Sequence, residues 1–136
     1  MNIAICEIKL GRYDDAEKHI NKGLKYAPGF SYLLNSKIDI LQHENKFDEA
    51  EKLAKELIER DKYDYSAYWQ LAEIYRYKKD TQKAEDYYQE SKNNAQEYYD
   101  RFCENYYDIN DYDGNCGNRY EFLKDFEKSK NMSLNF

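Results

Sequence analysis

Apolar positions fall in short runs at helical spacing, separated by polar turns. Between residues 31 and 64, Leu34, Ile38 and Leu41 share one helical face, Asn45-Lys46 interrupts it, and Phe47, Ala50, Leu53, Ala54, Leu57 and Ile58 resume it. This predicts helix, tight turn, helix. The same layout recurs with a period of thirty-four residues: Tyr13/Phe47/Thr81, Ala16/Ala50/Ala84, Glu17/Glu51/Glu85, Ile20/Ala54/Tyr88 and Leu24/Ile58/Lys92 align without gaps, as do Ala4/Ile38/Ala72 and Glu7/Leu41/Tyr75. A fixed period of this length decides the fold before any local motif does.

The alanine shared by all three blocks has a physical reason. Where two antiparallel helices cross closely, a side chain larger than a methyl pushes them apart. Gly11, Pro28-Gly29 and the polar run RDKYDYS at 60–66 are the expected breakers between helices.

The thirty-four-residue period, the order small residue, aromatic, Ala in Ala4, Tyr13 and Ala16, the LAEIY at 71–75 preceded by Tyr68-Trp69, and Pro28 at a repeat end resemble the tetratricopeptide repeat family. The resemblance covers roughly residues 1–98. Lys37 replaces the usual Leu, Lys62 and Gln96 replace the repeat-ending Pro, and Thr81 replaces the aromatic, all without shifting the register. The fold it implies is all-α, a right-handed α-solenoid of antiparallel helix pairs. The chain is then one domain, 1–136, with repeats at 1–30 (truncated at its start), 31–64 and 65–98, and an atypical fourth repeat or cap at 99–136.

The ends are less regular. Met1 falls in the middle of a first helix, so either the product begins with a shortened helix or, the favoured expectation, it is a fragment of a longer array. The apolar end this leaves suggests a self-association or spacer module, and a regulatory domain of a larger protein is the other alternative to a binding adaptor. After Tyr98, Phe102, Tyr106 and Ile109 suit the start of another repeat, NDYDGNCGN reads as a loop, and Tyr120, Phe122, Leu123 and Phe126 form a last amphipathic helix. A solenoid needs such a cap over its terminal apolar face. Ala84, Tyr88, Ser91, Ala95, Tyr98/Tyr99, Phe102 and Tyr106 keep near-heptad spacing through 81–107, which leaves one long helix open, but Asn93-Asn94 makes a break the expectation.

Composition narrows the function. Charged residues make up 35% of the chain, Gly and Pro are scarce and sixteen residues are Tyr, which suits a helical chain with polar faces. The net charge of −6 spreads as +1, −3, −1 and −3 over 1–30, 31–64, 65–98 and 99–136, so no segment carries the basic field expected for nucleic acid or an anionic membrane. Apolar runs are too short to span a bilayer, and MNIAICEIKL lacks the pattern of a signal peptide. The expectation is a cytoplasmic protein. Cys6, Cys103 and Cys116, odd in number and in no CxxC pair, read as reduced thiols. The Asn-Met-Ser sequon at 131 reads as chance.

Catalytic and metal patterns fail one by one. There is no phosphate loop, HExxH, GxSxG or dinucleotide fingerprint. Cys6 with His43 reads as a buried thiol and a surface histidine rather than a nucleophile and base. In DINDYDGNCGNRYE, placing Gly114 at the sixth position of a calcium loop puts Ile109 and Tyr120 at ligand positions, so the stretch reads as a turn. Neither a cofactor nor enzymatic activity is expected. EKLAKELIERDK at 51–62 reads as a solvated face with i,i+4 pairs, and of each doublet Tyr87-Tyr88, Tyr98-Tyr99 and Tyr106-Tyr107 one ring is expected inside.

The resemblance implies a concave face, built from the first helix of each repeat, that receives a partner's peptide or helix. Its positions hold Tyr32, Asn35, Asp39, Gln42 and His43, then Trp69, Gln70, Glu73, Arg76 and Tyr77, then Asp100, Cys103, Glu104 and Tyr107. The clamp of Lys, Asn and Arg with which some members of the family grip an anionic chain end is absent: Asn35, Asp39, Gln70, Asp100 and Glu104 stand there in one frame, and Met1, Ile5, Ser36, Ser66 and Gln70 in the other. The expected partner is a neutral or basic peptide or helix, with Trp69, Tyr32 and Tyr77 as exposed anchors, Asp39 and Glu73 supplying specificity, and Trp69→Ala leaving the fold intact.

Overall fold

Three turns, thirty-four residues apart, are built alike. Gly11, Asn45 and Lys79 each take a left-handed conformation, with φ of 76°, 62° and 66°. At each, two backbone bonds close the preceding helix: Gly11 N–H to Ile8 O and Arg12 N–H to Glu7 O, Asn45 to Gln42 and Lys46 to Leu41, Lys79 to Arg76 and Asp80 to Tyr75. This is the Schellman arrangement, which satisfies the orphan carbonyls of a helix end and needs a residue tolerant of positive φ. Gly and Asn fit that need, whereas Lys79 bears the steric cost.

In the computed structural model, residues 7–103 and 115–134 are described, and all of the elements among them are helices. They are α1 Tyr13–Tyr26, α2 Ser31–His43, α3 Phe47–Arg60, α4 Tyr65–Tyr77, α5 Thr81–Phe102 and α6 Asn115–Leu134. Ala4, Cys6, Tyr106, Tyr107, Ile109 and the calcium-like stretch up to Gly114 lie outside the described residues. The chain forms two compact units, Met1–Leu57 and Ile58–Phe136.

In the first unit, Ala16 and Ile20 of α1 pack with Leu33 and Ile40 of α2, flanked by Ile8, Tyr13 and Leu24. Gly23 permits the close approach, because a Cβ there would stand 2.6 Å from Leu33 Cδ1. The ring of His43 stacks on Tyr13 with centroids 3.5 Å apart. α3 buries Ala50, Ala54 and Leu57 on one face and carries the expected Lys55–Glu51 pair at 3.3 Å on its solvated side. Ala16, Ala50 and Ala84 are all fully buried, as helix crossings require.

In the second unit, Asp64 and Asp80 cap α4 and α5 by accepting from the N–H groups of Ala67 and Lys83. α5 runs unbroken through Asn93-Asn94, against the expected interruption. Asn94 donates to the backbone carbonyl of Glu90 at 2.8 Å and Gln89 donates to Asn93, so both amides are satisfied within the helix. The buried stripe Ala84, Tyr88, Ser91 and Ala95 holds the helix on both sides of the pair.

The cysteine reading is corrected. Cys103 and Cys116 form a disulfide, Cα to Cα 5.7 Å, joining the end of α5 to the first turn of α6. No local motif announces it, because the pairing depends on the fold returning the chain after thirteen residues. Asn115–Asn118, expected as loop, are the first turn of α6. That turn is held from both sides, by the Cys116 bridge and by Arg119, whose guanidinium donates to the carbonyls of Asn115 and Tyr63. Tertiary contacts here outweigh the poor helix propensity of Gly117 and its asparagine neighbours.

Candidate functional site

α6 nests on both helices of the second unit. Along α4 it runs in the same direction: Phe122 meets Tyr65 with ring centroids 4.5 Å apart, Phe122 and Phe126 meet Trp69 at 5.7 and 6.0 Å, and Ser133 reaches Glu73. Along α5 it runs the opposite way, with Arg119 over the Tyr98 ring at 3.8 Å, Glu127 against Lys92 at 3.7 Å and Lys130 against Glu85 at 3.2 Å. Ala72, Ala84, Tyr88 and Phe126 form the core between them.

Arg119 is 93% withdrawn from solvent. Among the described residues no carboxylate pairs with it; its charge is met by two carbonyls and by the faces of Tyr98 and Tyr65. Burial pushes the Tyr65 phenol above its ordinary range, and the Arg119 charge partly opposes that.

A pocket of about 540 Å³ opens between α4 and α6, within the roughly 300–1,000 Å³ of small-ligand sites. It is lined by Tyr65, Ser66, Trp69 and Gln70 from α4 and by Phe122, Ser129, Met132 and Ser133 from α6. Among these lining residues none is ionised. Trp69 and Gln70 were anticipated from the repeat pattern. The α6 wall was not: Phe122 is legible as part of an apolar stripe, but nothing in the sequence says that Ser129 and Ser133 stand opposite Ser66 and Gln70.

The remaining predicted residues have separate situations. Glu73 is committed inside the unit: its Oε1 accepts from the Tyr88 phenol at 3.0 Å and the Ser133 hydroxyl at 2.9 Å, and its Oε2 accepts from Arg76 Nε and Nη2 at 3.1 and 2.7 Å. Burial, reinforced by the Glu73 charge, raises the Tyr88 phenol far above its usual range. Burial would lower Arg76, but its hydrogen bond and charge pairing with Glu73 win, and the net shift is upward. Tyr77 is 52% exposed, with the Arg76 guanidinium over its ring at 4.5 Å. Trp69 is half-buried and packs edge-on against Tyr88 at 4.6 Å as well as against α6. It is therefore a core residue with one side on the pocket, and Trp69→Ala would remove core packing along with any anchor.

In the first unit, Tyr32, Asn35 and Asp39 fall on one face of α2 at i, i+3 and i+7. Tyr32 is 45% exposed with its ring 6.1 Å from Phe30, Asn35 donates to the Ser31 carbonyl at 3.1 Å, and Asp39 is exposed. Gln42 is buried and His43 exposed on the same helix. Asp100 is exposed on α5 and accepts from Gln96, Cys103 is consumed by the disulfide, and Glu104 and Tyr107 lie outside the described residues.

Among the described residues no group of three His, Cys, Asp or Glu is placed to hold a metal ion, and no helix is long and apolar enough to cross a membrane. Two matches to the family described as tetratricopeptide repeat cover residues 1–30, the first block of the period, and 37–98, most of the second and all of the third. Comparison with curated proteins returned no match. The paired helices, the repeated Schellman turns and these two matches agree: the chain belongs to the tetratricopeptide repeat family, whose repeats generally mediate protein–protein interactions.

Proposed function

We propose that this chain is a non-catalytic adaptor that receives a partner's peptide or helix on the exposed sides of the first helices of its repeats. Within the first unit the proposed contact residues are Tyr32, Asn35 and Asp39 on α2; within the second they are Trp69, Gln70 and Tyr77 on α4, with Glu73 and Arg76 as the ion pair that stiffens α4. The observation that carries the reading is the pocket beside Trp69 and Gln70, which combines aromatic walls with hydroxyl and amide groups. Such a lining binds apolar groups while fixing their orientation through a few polar contacts.

At the pocket an uncharged segment is favoured over a basic one, because none of the lining residues is charged and Glu73, one of the two acidic residues expected with Asp39 to give specificity, already has four donors. The disulfide also removes the cysteine argument for a reducing compartment.

Selection from a random peptide library tests the reading. Wild-type protein should enrich a family of peptides, and Gln70→Arg, which sets a charge on the pocket wall, should weaken them at least tenfold with an unchanged circular dichroism spectrum. Enrichment no better than on an unrelated helical protein would remove the adaptor reading.

A further inference from the structure

Three charged side chains of α4 and α6 are already engaged within the unit. Glu73 is saturated by Tyr88, Ser133 and Arg76, Lys130 pairs with Glu85, and Arg119 lies between Tyr98 and Tyr65 with its terminal nitrogens on carbonyls. What faces the cavity is aromatic or thioether surface from Tyr65, Trp69, Phe122 and Met132, with hydroxyls from Ser66, Ser129 and Ser133 and the amide of Gln70. A charged ligand group would lose its hydration there and meet no charged side chain among the lining residues. An aromatic ring would bury its area against other rings and the methionine, and a phenol or indole would place its one polar hydrogen among three hydroxyls. Met132, 63% exposed at the rim, can repack over such a group.

We propose that the pocket between α4 and α6 is the receptor for one uncharged aromatic side chain of a protein partner. This rests on the adaptor reading and names the chemistry of its anchor. The α6 half makes it a composite site, so its specificity is set as much by Phe122, Ser129 and Met132 as by the repeat residues Trp69 and Gln70. The disulfide and Arg119 contribute by holding α6 in place.

Trp69 is the single tryptophan of the chain, so its indole N–H gives one isolated signal in a nitrogen-correlated NMR spectrum. Protein labelled with ¹⁵N should be titrated with N-acetyl-tyrosinamide and N-acetyl-phenylalaninamide, and separately with the amides of N-acetyl-glutamate and N-acetyl-lysine. The proposal expects saturable shifts of the Trp69 indole and of the Ser66 and Ser129 amides with the two aromatic probes, and none with the charged ones. Ser129→Phe, which fills the cavity from α6, should weaken the aromatic probes at least tenfold. Ser66→Phe does so from α4 and serves if the first variant fails to fold.

Equal response to charged probes, no saturable response to aromatic ones, or undiminished binding in a folded filled variant overturns the proposal. So does a dilution-dependent shift without any probe, which would make a second copy of the chain the occupant. The outcomes separate from those of the adaptor reading: enriched peptides that lack aromatics and do not compete with N-acetyl-tyrosinamide sink this inference alone, whereas aromatic probes that bind while no peptide is enriched sink the adaptor reading alone.

Discussion

Ser133, in the last turn of α6, donates its hydroxyl to Oε1 of Glu73 on α4 at 2.9 Å, the same oxygen that accepts the phenol of Tyr88. One carboxylate thus ties all three helices of the second unit. Glu73→Ala removes the carboxylate shared by a fully buried phenol, the Ser133 hydroxyl and the Arg76 guanidinium, and should cost about 2–3 kcal/mol in urea unfolding, since buried polar groups that lose an acceptor carry a desolvation penalty. Glu73→Gln keeps one acceptor and should cost less than half of that. Equal losses for the two variants would show that the ion pair, rather than the phenol, matters.

The turn at Lys79 offers a stabilising change. Its φ of 66° is the geometry filled by Gly11 and Asn45 in the preceding repeats, and a non-glycine residue there carries roughly 1 kcal/mol of steric cost. Lys79→Gly should therefore raise stability by about 0.5–1 kcal/mol, less the entropy that glycine adds to the unfolded chain. A loss of stability would mean that the Lys79 side chain contributes more than its backbone costs.

The Cys103–Cys116 bridge closes a short loop, and a cross-link of that size stabilises by roughly 3 kcal/mol when it imposes no strain. Dithiothreitol, or the double variant Cys103→Ser, Cys116→Ser, should lower the unfolding free energy by up to about that amount. Thiol titration of the denatured chain should find one reactive group before reduction and three after, because the sequence holds three cysteines. Three groups without reduction would contradict the bridge.

Alkaline unfolding has a defined sign. The Tyr88 phenol, buried against the Glu73 carboxylate, holds its proton above the ordinary value of 10.0. Below pH 10 that contribution is fully present; as pH rises further the unfolded chain loses the proton first, so stability falls by about 1.4 kcal/mol per pH unit for this group. Tyr88→Phe should shift the curve by a constant amount below pH 9 and flatten it above pH 10. Parallel curves across the whole range would show that Tyr88 ionises as freely in the folded chain.

The helix pairs were legible because the period is written three times: Ala16, Ala50 and Ala84 are buried in register, and the turn residues Gly11, Asn45 and Lys79 keep the same spacing. Long-range pairings were not legible. Cys103 meets Cys116 only because α6 folds back, and Glu73 is engaged by a hydroxyl sixty residues later. Sequence reasoning aimed Glu73 at a ligand since its repeat position faces outward in a bare array; α6 covers that position here. Asn93-Asn94 misled for the opposite reason, because local amide bonds and a buried stripe carried the helix through residues that favour caps and turns.

The measurement closest to the central claim is the dissociation constant of a library-selected peptide for the wild-type chain and for Ser129→Phe, by isothermal titration. The account predicts a saturable one-to-one interaction that the filled pocket weakens at least tenfold while the helical content stays the same. A peptide that binds both proteins equally would place recognition elsewhere on the chain and contradict the account.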